Sequence, residues 1–215
     1  MSFREIFSGK GRLTQCIKRF GRINVDEPVE YLKNGRIIEE KNILNTKTFR
    51  MLKEDAARPG QTWHFGLPCG SFSILQHSNK GTRRRYQPAG DGTLLREIIG
   101  NEMLRRTIIL IKILERNQNF WTLENPASSY VWAMPSIRKF TSSEKHLFVY
   151  FDQCRYGLRL KDEKGNIGPC KKPTRMLGNL PGLDSLHCVC VAVKRSMFTL
   201  SVGSRRNMVG KDAVN

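Results

Sequence analysis

The sequence predicts an α/β protein, a mostly parallel sheet with helices on both faces. Short apolar runs alternate with stretches of helical periodicity, the pattern of βαβ units. Loops rich in Gly, Pro or Asn follow several of those runs, where the strands of such a sheet would end. A length of 215 residues suits one domain, or one with a small appendage, and can bury a substantial core.

The elements follow in order. Residues 3–7 form the first expected strand, and 12–20 the first helix, closed by Gly21. Residues 29–32 are the expected second strand, and 48–57 a helix stopped by Arg58-Pro59-Gly60. Residues 62–67 form a strand leading into Pro68-Cys69-Gly70. The polar, basic segment 78–92, with three glycines, reads as a long mobile loop. Residues 93–117 keep helical spacing through Leu94, Ile98, Met103, Ile108, Ile111 and Leu114. A strand at 120–123, a helix within 135–146 and a strand at 147–151 follow. Later strands are expected within 186–193 and 197–202, ahead of a polar end.

Charge bounds the partners. Lys and Arg number 37 against 19 Asp and Glu, a formal net charge of +18, which implies a polyanion and most economically a nucleic acid. No apolar run is long enough to span a bilayer, and no basic amphipathic helix suggests a membrane surface. Nothing resembles a signal peptide, and six cysteines then read as reduced thiols. A cytoplasmic or nuclear monomer, not secreted, is expected. Cys170, His187, Cys188 and Cys190 lack paired C-x2-C spacing, so no metal is expected.

Two segments carry chemistry. Gly66-Leu67-Pro68-Cys69-Gly70-Ser71 offers a thiol on a strand-end loop, and Phe120-Trp121-Thr122-Leu123-Glu124-Asn125-Pro126 ends an apolar run on a carboxyl. Together a thiol and a carboxyl can attack and protonate an electron-poor ring. Cytosine methylation at C5 needs that pair, because C6 must accept a nucleophile before C5 becomes reactive. A third segment, Glu5-Ile6-Phe7-Ser8-Gly9-Lys10-Gly11, places a glycine loop before a helix, which permits a tight turn and close backbone approach.

With Gln153-Cys154-Arg155 these motifs stand in one order: glycine loop, Pro-Cys, Glu-Asn, Gln-x-Arg. In that order and spacing, over about residues 3 to 160, the chain resembles DNA cytosine-5 methyltransferases. It departs from them at Gly70, where the family has Gln, at Pro126, where it has Val, and at Gly157, where it has a second Arg. The resemblance implies a Rossmann-like, S-adenosyl-L-methionine-dependent methyltransferase domain over 1–160, with 161–215 as a short basic C-terminal region. It implies S-adenosylmethionine held by Phe7, Ser8, Gly9, Gly11, Glu30 and Pro68, with Glu30 accepting the ribose hydroxyls. Cys69 would be the nucleophile, Glu124 the group at the base's N3, and Arg155 the cation at O2. Ser71, Asn125 and Gln153 would contact the substrate, and Arg83, Arg84 and Arg85 its phosphates. The substrate would be cytosine in DNA, flipped from the duplex. Two alternatives stay open: an inactive nucleic-acid-binding protein that keeps the fold, and the same chemistry on RNA.

Overall fold

The computed structural model describes residues 1–162, 165–190 and 198–199. Its centre is a six-stranded sheet. β1 (Ser2–Ile6) leads into α1 (Arg12–Phe20) and β2 (Asn24–Val25), and a small hairpin follows, β3 (Leu32–Lys33) and β4 (Arg36–Ile37). Next come α2 (Thr46–Ala57), β5 (Gln61–Gly66), α3 (Leu95–Arg116), β6 (Phe120–Pro126), α4 (Pro135–Thr141) and β7 (Leu147–Asp152). β8 (Arg159–Lys161), β9 (Ile167–Lys171), β10 (Pro173–Gly178) and β11 (Phe198–Thr199) complete the described elements.

The order across the sheet is β2-β1-β5-β6-β10-β7, and a second sheet joins β11, β9 and β8. β2, β1, β5 and β6 pair in parallel, while β10 runs antiparallel to both β6 and β7. The sheet is therefore mostly parallel, as expected, with one reversed strand inserted near its edge. β10, from the stretch after residue 160, fills the place between β6 and β7, so residues 173–178 belong to the main sheet.

Alternation of side chains on the pleat sets the two faces. On β1, Arg4 reaches Asp55 of α2 at 2.6 Å, and its neighbour Glu5 reaches Thr14 of α1 at 2.6 Å, so α1 and α2 lie on opposite faces. The α2–α3 face holds the core. Trp63, Phe65, Trp121 and Leu123 are buried there against Leu52, Ala56, Leu104, Ile108, Ile111 and Leu114. Each fully buried aliphatic or aromatic side chain contributes roughly 1.5–3 kcal/mol, which is why the long apolar stripe of α3 decides its position. α1 buries only Thr14 and leaves Phe20 exposed, so the opposite face is thinly covered and open near β5 and β6.

The element pattern differs from expectation in three places. The second strand is Asn24–Val25, and Val29 makes only a single parallel bridge to Ile6. β8, β9 and β10 come from a stretch whose Lys, Gly and Pro content hid them; β8 and β9 pair locally with each other, while the pairing of β10 to β6 and β7 supplies what local propensity does not. The segment expected to be a mobile loop at 78–92 is tied down, as shown below. Of the expected late strands, Cys188 bridges Phe151 and Phe198–Thr199 pairs with β9, while 191–193, 197 and 200–202 lie outside the described residues.

Candidate active site

From β1 the chain moves to β2 on one side, and β5 then returns to pair on the other. The carboxyl ends of β1 and β5 thus flank a topological switch point, where open α/β sheets form ligand crevices. A cleft of about 900 Å³ occurs there. Phe7, Ser8, Gly9, Gly11, Glu30 and Pro68 all line it, so the six residues expected to share a ligand are brought together.

The loop after β1 is shaped for close approach. Gly9 and Gly11 have φ of 54° and 64°, and Phe7 adopts a left-handed φ of 61° that costs a non-glycine residue strain. A Cβ on Gly66 would stand 3.1 Å from the Phe7 carbonyl oxygen, so the two loops touch through backbone. Glu30 accepts from the Gly9 N–H at 2.5 Å and the Leu32 N–H at 3.0 Å, tying the glycine loop to the segment after β2. The buried Glu5 carboxylate accepts from the Thr14 N–H at 2.9 Å.

Those bonds limit what the cleft can hold. With the N–H groups of Gly9 and Thr14 already taken, the helix start is poorly supplied to cradle a diphosphate. The cleft is instead lined by the Glu30 carboxylate, a Glu27–Lys41 ion pair at 3.0 Å, the side chains of Lys10 and Lys18, and a wall of Tyr31, Leu32 and Ile38. Each Glu30 oxygen keeps a second lone pair for a hydroxyl. This donor set fits a zwitterionic ligand with a diol and a flat apolar part.

Beside the cleft, the parallel register Gly66↔Glu124 brings the loops after β5 and β6 together. Asn125 is fully buried and its Nδ2 donates to the Leu67 carbonyl at 2.7 Å, pinning the thiol loop to the end of β6. Cys69 is half-buried. Burial pushes its thiol up, the Lys172 ammonium draws it back, and the Glu124 carboxylate pushes it further up. The thiol and the carboxyl are therefore electrostatic neighbours. The loop continues into a short 3-10 turn (Ile74–Asn79) and not an α-helix, so no helix dipole activates the thiol.

Glu124 has its Oε1 shielded from solvent without a hydrogen-bond partner. Burial raises its pKa, and Lys172 opposes the shift. A groove of about 560 Å³ runs past Glu124, His64, Gln153, Lys172 and Met176, and it shares Ser8 and Lys10 with the first cleft. His64 accepts or donates at Thr122 Oγ1 over 2.8 Å, and burial lowers its pKa to about 4, so it lines the groove as neutral imidazole. Gln153 is held by its Nε2 donating to Thr174 Oγ1 at 3.0 Å.

The expected roles of Arg83, Ser71, Arg84 and Arg155 change. Arg83 is 1% exposed and cannot reach a phosphate. It donates to Pro88 O, Asn101 Oδ1 at 2.8 Å, Glu97 O at 2.9 Å and Ser71 Oγ at 3.3 Å, and it lies 3.9 Å over the Phe72 ring. It thus fastens segment 78–92 and the thiol loop to α3, and Ser71 serves in that anchor. Arg84 donates to the carbonyls of Gly81 and Arg83 at 2.9 and 2.7 Å. Arg85 alone of the three is exposed. Arg155 is also exposed, donates to Cys188 Sγ at 3.1 Å and does not line the groove. The cation beside Glu124 is Lys172, which the sequence reading missed together with His64. A signal for Lys172 would have been its place just ahead of a strand paired to the Glu-Asn strand. No protein-family model matches the chain, and no curated protein matches it.

Proposed function

We propose that this chain is an S-adenosylmethionine-dependent methyltransferase acting at C5 of cytosine in DNA. One observation carries the reading: Cys69 and Glu124 stand on adjacent strand-end loops and feel each other's charge and that of Lys172, and Glu124 and Lys172 line a groove that opens through Ser8 and Lys10 onto the switch-point cleft. The net charge of +18 supports a nucleic-acid substrate.

The roles follow from the environments. Glu124, whose pKa burial raises, donates its proton to N3 as the Cys69 thiolate adds to C6. Lys172 favours that thiolate and would support charge building on the base's exocyclic O2. Asn125 fixes the distance between the two loops. Bound S-adenosylmethionine supplies a methyl group activated by its sulfonium. After C5 takes the methyl group, leaving a neutral thioether on the donor, water takes the C5 proton, the C6–S bond breaks to release the Cys69 thiolate, and N3 returns its proton to Glu124. Phe7, Ser8, Gly9, Gly11, Glu30 and Pro68 would hold the donor, with Glu30 at its hydroxyls.

The test is covalent trapping. DNA bearing 5-fluorocytosine, which cannot release fluorine as a cation, should give a denaturant-stable adduct with the wild type and none with Cys69→Ala. Adduct formation only on the matching RNA would move the substrate. Turnover of ordinary DNA by Cys69→Ala would overturn the mechanism.

A further inference from the structure

We propose that Arg85, Arg138 and Arg175 form a phosphodiester-binding cleft for a nucleic-acid strand, separate from the groove lined by Glu124 and Lys172. The inference rests on the proposed function only for taking nucleic acid as the source of the phosphate.

Three arginines reach one cavity of about 210 Å³ from three distant segments: the loop beyond the thiol, α4 and β10. Among the described residues no carboxylate lies within ion-pairing distance of any of them. Like charges gathered in one recess repel, and a bound anion relieves that repulsion. The arginines are also positioned. Arg175 pairs with Asn125 across β10 and β6, and its guanidinium lies 5.2 Å over the Phe148 ring. Arg85 follows directly on the buried Arg83 anchor. Ser128 lines the same cavity and adds a hydroxyl donor. Guanidinium forks match phosphate oxygens two at a time, which a lysine cannot do.

The position argues for a strand of nucleic acid. Met176 pairs with Glu124 and Arg175 with Asn125, so the pleat puts Arg175 on the opposite face of the sheet from the groove. Ala127 of this cavity is only three residues beyond Glu124, at most about 11 Å of extended chain. A strand whose base enters the groove would pass neighbouring phosphates over this end of β6.

The experiment uses the full chain without cofactor and a labelled duplex of A·T pairs only, so the outcome is independent of cytosine chemistry. For Arg138→Gln with Arg175→Gln, the slope of log K against log salt should be shallower by about 0.9, the value for one phosphate on duplex DNA. The affinity lost between about 50 and 200 mM salt then shrinks roughly 3.5-fold. The paired Lys variants keep the charge and stem packing, so they should hold the slope while binding more weakly. An unchanged slope in a folded Gln variant would overturn the proposal and leave the Cys69 adduct unaffected. Inorganic phosphate saturating the cleft, with duplex binding indifferent to the Gln variant, would overturn it too by showing a free-anion site.

Discussion

Glu124→Gln isolates the electrostatic state of the carboxyl, because burial that suits an acid at N3 also works against folding. The Oε1 atom is shielded from solvent and has no hydrogen-bond partner, and burial raises the pKa against the pull of Lys172. Below the unfolded glutamate pKa of about 4.3, Glu124 is protonated in both states, so it and Gln are near-isosteres and the two proteins should be equally stable. As pH rises past that point the unfolded chain releases the proton while the folded protein retains it. The native state then binds more protons than the unfolded one, and stability falls with pH. The loss ends once pH passes the raised folded value. The amide that replaces the carboxyl does not titrate, so the variant should gain on the wild type across that window and keep its advantage at neutral pH. An unsatisfied buried polar atom costs about 1–3 kcal/mol, and Lys172 offsets part of it, which places the plateau near about 1–2 kcal/mol. Urea unfolding between about pH 3.5 and 8, a range that brackets the unfolded glutamate value, reads the difference directly. Adduct formation on 5-fluorocytosine DNA should be lost in parallel. A stability difference that stays flat with pH would refute the claim that this carboxyl is desolvated.

Other outcomes test the neighbours. Arg83→Met should destabilise the protein by about 1–3 kcal/mol, since it leaves the buried carbonyls of Glu97 and Pro88 without their donor, and a thermal melt unchanged from wild type would return Arg83 to the surface. Lys172→Met should shift the rise of activity with pH to higher pH, because the ammonium that draws the Cys69 thiol down is removed; an unmoved pH profile would refute its role. Gly11→Val should weaken donor binding in calorimetry, as φ of 64° is strained for a β-branched residue, and unchanged affinity in a folded variant would relocate that ligand.

The local elements were legible because hydrophobic period and punctuation are local signals. Helix Arg12–Phe20 closes at a left-handed Gly21, as its terminal glycine predicted, and α3 keeps the spacing visible from Leu94 to Leu114. Cys69, Glu124 and the glycine loop were legible for a related reason. Each sits at the carboxyl end of an apolar run, and in a parallel sheet those ends share one edge.

What only the tertiary structure decided concerns environment. Arg83, Arg84 and Arg85 are one run of identical residues, yet Arg83 is buried against Phe72 and Glu97 while Arg85 faces solvent beside Arg138 and Arg175. Sequence carries the charge but not which neighbours surround it. The cation by Glu124 is Lys172 and not Arg155 because β10 enters the sheet antiparallel beside β6, a pairing between strands far apart in the chain. That pairing is set by which edges and faces can be buried together across the whole sheet, a property no single stretch of residues encodes.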